Sequence, residues 1–189
     1  ETFYGKIGTV EDHDDDLSEL PVGLVTLGGV EFDIRGVIQL RRAEPLDTPA
    51  EMAAADDPVR VDGIPIDQEA TRLHLLLGTV SEGPPLSGGT VTGRLKLHYA
   101  DGVSRSFDLF YGRDVLAWWY EPAKVDTETA DCARAVWTGT NPVAAEVGHR
   151  LRLYLNTRDN PRPGVKITTF DFVSAMTTSG PFLIAVTVE

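Results

Sequence analysis

Cysteine occurs once in the 189 residues, at Cys132, which excludes an intrachain disulfide framework and a cysteine-based zinc site. A lone thiol with no cationic neighbour before Arg134 reads as a small buried or partly buried residue rather than a reactive thiol. No apolar run approaches the roughly 20 residues that cross a bilayer as a helix, so no membrane insertion is expected. The four histidines are scattered, without the H-x-x-x-H or H-x-H spacing that places two imidazoles on one metal. No G-x-S-x-G elbow is present. The glycine-rich pieces "TLGGV" and "SEGPPLSGG" lack both the Walker lysine and the G-x-G-x-x-G spacing. These absences predict no catalytic residue, no metal and no cofactor.

Basic charge is scarce where acid is dense. Residues 1–70 carry 17 acidic and 5 basic side chains (5 − 17 = −12), and residues 71–189 carry 12 of each, so the first part holds the whole formal charge of −12. Nucleic acid or an anionic membrane would be repelled there and would meet no basic stripe elsewhere, so neither is an expected partner. The densest stretch is "EDHDDD" (residues 11–16). Mutual repulsion makes it a hydrated leader, and residues 1–19 are set apart on that ground. Asp12, Asp14 and Asp16 alternate as in a calcium loop, but Leu17 stands where the turn glycine belongs and Gly23 where the bidentate glutamate belongs, which excludes an EF-hand.

Long amphipathic helices are also missing, and what replaces them is alternation. Val30, Phe32 and Ile34 alternate with Glu31, Asp33 and Arg35; Leu95, Leu97 and Tyr99 alternate with Arg94, Lys96 and His98; Leu151, Leu153 and Leu155 with Arg150, Arg152 and Tyr154. "ADG" (residues 100–102) predicts a hairpin into Phe107, Leu109 and Tyr111. Leu73, Leu75 and Leu77, "ARAVWTGT", "VKITTFDFVSA" and "PFLIAVTVE" add further strands. The pattern predicts an all-β sandwich over residues 20–189 as one domain, a jelly roll of about eight to ten strands, with a proline-rich loop near 41–63. His74 and His98, on the polar phase of their strands, are expected to make surface or inter-strand hydrogen bonds, and Arg35, beside Asp33, a cross-strand ion pair, with a ligand clamp as the alternative.

The runs "LPVGLVTLGGVEFDIRGVIQL", "LHYADG", "FYGRDVLAWW", "AVWTGTNP" and "FDFVSAMTTSGPFLIAVTVE" together resemble an uncharacterised β-sandwich module of secreted or envelope proteins from planctomycete-like bacteria. That module is similar in outline to galactose-binding-like and other carbohydrate-binding jelly rolls. The resemblance implies an extracytoplasmic, periplasmic or secreted setting and ligand-binding loops at one end of the sandwich.

In "GRDVLAWW" (residues 112–119) two of the three tryptophans are adjacent. Adjacent side chains point to opposite faces of a strand, so one ring is expected inward and the other outward. The outward ring would stack on the apolar face of a pyranose, with Arg113, Asp114 and Asn141 binding hydroxyls. Trp118, Trp119, Arg113, Asp114 and Asn141 are thus the candidate ligand site of a non-catalytic module that binds carbohydrate or a similar polar surface ligand. Two other readings stand beside it. One is a structural or protein–protein interaction module of a cell-envelope assembly, with a protein partner in place of a glycan. The other is a glycoside-active enzyme with two facing carboxylates.

Overall fold

The computed structural model describes residues 16–43, 57–81, 88–127 and 130–189. The acidic run before Asp16, the centre of the proline-rich loop and most of "SEGPPLSGG" lie outside the described residues.

The chain is an all-β sandwich. One sheet of six strands contains β3 (Ile38–Gln39), β12 (Ser179–Val188), β5 (Arg72–Ser81) and β10 (Arg150–Asp159) in that order, with the short β8 (Trp119–Tyr120) and β9 (Ala133–Gly139) both on β10. The second sheet, of four strands, runs β4 (Arg60–Gln68), β11 (Ile167–Ser174), β6 (Val91–Tyr99) and β7 (Ser104–Phe110). All of these strand pairings are antiparallel. The pairings β3 with β12, β4 with β11, β5 with β10 and β6 with β7 nest inside one another while the chain alternates between sheets, and this defines an eight-stranded jelly roll. Among the described residues twelve strands are formed. The additional four are β8, β9 and a hairpin of β1 (Gly23–Leu27) and β2 (Val30–Ile34).

That hairpin gives the molecule a third layer. Between the two sheets lie Leu73, Leu75, Leu77, Leu95, Leu97, Leu109, Phe170 and Phe172. A second cluster, Phe32, Ile34, Leu76, Trp118, Leu151, Leu153 and Phe182, fills the opposite face of the six-stranded sheet beneath β1 and β2. The six-stranded sheet is therefore buried on both faces, which is why β5 reads as the nearly continuous apolar run "LHLLLG". Bulges keep the phases aligned. Leu183 pairs with Leu77 and Ala185 with Leu76, so Ile184 is the extra residue, and beyond it Val186 and Val188 return to the inter-sheet core.

The expected leader ends in contacts with the domain. Leu17 and Leu20 pack on the outer cluster, and the Glu19 carboxylate accepts from Thr140 N at 2.8 Å. The expected loop over 41–63 also stops early, because β4 begins at Arg60. Gly63, at φ +70°, and Asp67, at φ +54°, mark two bulges that hid its alternation while keeping Val61, Ile64 and Ile66 inward. Cys132 is exposed in a turn rather than buried.

Candidate functional site

A groove of about 640 Å³ runs along the open side of the sandwich, where edge strand β4 faces β3 and β12. Ile38, Ile64, Ile66, Val186 and Val188 form its walls, and Phe170 its floor. Arg35 and Gln68 are its main polar side chains, and Arg35 Nε donates to Asp33 at 2.7 Å. The two walls differ in their backbone. β3 pairs with β12 only at Phe182 and Leu183, so among the described residues no strand is paired with that edge of β12 beyond Leu183; β2 touches it through Thr187 Oγ1, which donates to Glu31 O. On β4, Pro65 has no N–H, and the bulges at Gly63 and Asp67 break the edge further.

The five residues singled out in the sequence occupy a different region. Trp118 lies in a bend before β8, 3% exposed, with its ring edge-on to Phe182 at 5.9 Å and 86°. Strand alternation therefore does not apply to it, and both indoles turn to the outer cluster, their centroids 6.3 Å apart. Trp119 is the half-buried member, 5.9 Å from the His149 ring. Asn141 is buried at the N-cap of α1 (Pro142–Glu146), where Oδ1 accepts from Ala144 N at 2.7 Å and Nδ2 donates to Asp16 O at 3.1 Å.

Asp114 is fully buried. Its carboxylate accepts from Phe110 N at 2.9 Å and from Arg113 Nη2 at 2.8 Å, and pairs with Arg158 at 2.5 Å. Arg113 also lies 4.1 Å over the Phe110 ring, and its guanidinium is held charged above the ordinary arginine value, chiefly by the Asp114 hydrogen bond. These residues build the turn and core at that end of the sandwich, and only Trp119 and Arg113 present surface. The sequence shows "PFLIAVTVE" as a strand but not the groove, because "VDGIPID" carries proline and glycine inside its strand and because facing edges are set by topology.

The class of protein these features define is a jelly-roll β-sandwich with an apolar groove at its open side. Comparison with known proteins returns no match: no family, no curated protein and no solved structure is similar to this chain.

Proposed function

We propose that the protein is an interaction module whose groove receives an extended apolar segment of a partner polypeptide as a strand added beside β12. The observation that carries this is the coincidence of apolar walls with a strand edge that no described strand pairs. Ile64, Ile66, Val186 and Val188 repeat every second residue, the spacing at which a bound strand presents its side chains. The backbone of β12 beyond Leu183 offers the hydrogen bonds that hold such a strand. Sugars need convergent hydroxyl-binding groups, which this groove has in small number.

Selection of a phage library of random 12-residue peptides against the whole chain tests the reading. Enriched peptides are expected to alternate apolar residues. A peptide N-methylated on the amides facing β12 and an Ile66→Glu variant are each expected to weaken binding at least tenfold. No enrichment, or binding indifferent to N-methylation, overturns the strand reading.

A second reading keeps one observation of its own. The half-buried Trp119 ring beside His149 is an aromatic surface for a pyranose. Under it, glycan-array binding is abolished by Trp119→Ala while the peptide selection fails.

A further inference from the structure

The outer face of the four-stranded sheet carries a carboxylate that is buried although it faces away from the inter-sheet core. Asp171 sits on β11 opposite Lys96 of β6, and its side chain is 7% exposed. The bulge that shifts register between Phe170 and Phe172 places Gly63 against it, and Gly63 N donates to Oδ1 at 3.0 Å. The other oxygen, Oδ2, accepts from His98 Nε2 at 2.8 Å, with Arg60 Nη2 at 3.7 Å.

With the Nε2 proton directed to the carboxylate, a neutral imidazole carries its lone pair on Nδ1. His98 and Ser104 are directly opposed in the register of β6 and β7, and Nδ1 faces Ser104 Oγ at 3.4 Å. His98 is 31% exposed, so the hydroxyl end of this chain opens to solvent while the carboxylate end is closed.

Carboxylate, imidazole and hydroxyl in this order form the arrangement that activates a serine, recognised by geometry and roles rather than by sequence position. We propose that Ser104 is a nucleophile activated by His98, with Asp171 as the positioning residue, for acyl transfer from small activated esters. The proposal is independent of the groove. As Ser104 Oγ bonds to the acyl carbon, its proton passes to His98 Nδ1, and Asp171 stabilises the imidazolium. Collapse of the tetrahedral adduct breaks the bond to the leaving alkoxide, which takes that proton. Water then adds to the acyl-serine and gives a proton to Nδ1; collapse of this second adduct breaks the bond from Oγ to the acyl carbon, Nδ1 returns the proton to Oγ, and a carboxylic acid and free Ser104 result. The site lies on an open sheet face, so small acyl donors fit it and discrimination among them is low.

The test uses the whole chain with p-nitrophenyl acetate and with a fluorophosphonate probe. The probe is expected on Ser104 by peptide mass spectrometry, and nitrophenolate release is expected to fall at least tenfold in Ser104→Ala and in His98→Gln, in line with the roughly 10²-fold or more that a general base supplies. Asp171→Asn, checked for folding by circular dichroism, is expected to move the acid limb of the pH–rate profile to lower pH, because the imidazolium loses its counter-charge. A purely structural hydrogen bond would leave that midpoint in place. Absence of label on Ser104, or hydrolysis by Ser104→Ala as fast as by the unaltered protein, overturns the proposal. Both readouts use a surface substitution or none, so they decide the matter even if Asp171→Asn fails to fold.

Discussion

At the scale of single residues, small side chains are fixed by what lies over them. A Cβ on Gly78 would stand 2.3 Å from Phe182 Cζ, in the middle of the outer cluster. Gly78→Ala is therefore expected to cost about 1–3 kcal/mol by overpacking, read from guanidinium unfolding midpoints at constant slope. The tryptophan pair should separate in the same assay. Trp118→Ala removes a ring packed on Phe182 and should cost about 3–5 kcal/mol. Trp119→Ala, at a half-buried position, should cost about 1–2 kcal/mol. Equal losses would mean that both rings are equally part of the core.

At the scale of elements, the short helix α1 depends on its cap. Five residues make too few internal bonds to persist alone, and Asn141 supplies both the cap and the link to Asp16. Asn141→Ala is expected to destabilise by about 1 kcal/mol. Strand β4 depends on its bulges in a comparable way. Gly63 at φ +70° has open space around its missing Cβ, so the cost of Gly63→Ala comes from backbone conformation, about 1–2 kcal/mol. That value should appear in urea titrations. A negligible change would mean that the bulge relaxes and that the Gly63 bond to Asp171 is dispensable.

At the scale of the whole molecule, acid should unfold the protein through a few identifiable carboxylates. The bidentate Arg162 pair holds the Asp101 carboxyl down at about 2. For Asp171, burial pushes the carboxyl up, but the bonds from His98 and Gly63 and the charges of His98 and Lys96 bring it below its ordinary value. Both groups are depressed by folding, so their contribution is complete above the ordinary carboxylate value and is lost as pH falls through the folded one. Melting temperature should thus drop between about pH 5 and pH 2. Asp101→Asn should show a smaller drop than the unaltered chain, and identical profiles would remove Asp101 as a contributor.

The sequence by itself determined the class of fold. Alternation such as Leu95, Leu97 and Tyr99 against Arg94, Lys96 and His98 reports which face of a strand is dry, and that is a local property of the chain. It also foretold inter-strand hydrogen bonding by His74 and His98, made with Thr157 and Asp171, whereas the ion pair of Arg35 is with Asp33 two residues back rather than across strands. Tertiary structure alone decided the rest. The six-stranded sheet is dry on both sides: β1 and β2 fold back over the face that carries Leu151, Leu153 and Leu155, and the polar phase of β10, with Arg152 and Asn156, is turned to the inter-sheet side and buried there. A bend at Trp118 lies outside strand periodicity, so both indoles reach one cluster. The groove exists, and Asp171 reaches the His98 and Ser104 pair of the β6–β7 hairpin, because strands distant along the chain become neighbours, and period-two patterns carry no information about which strand lies beside which.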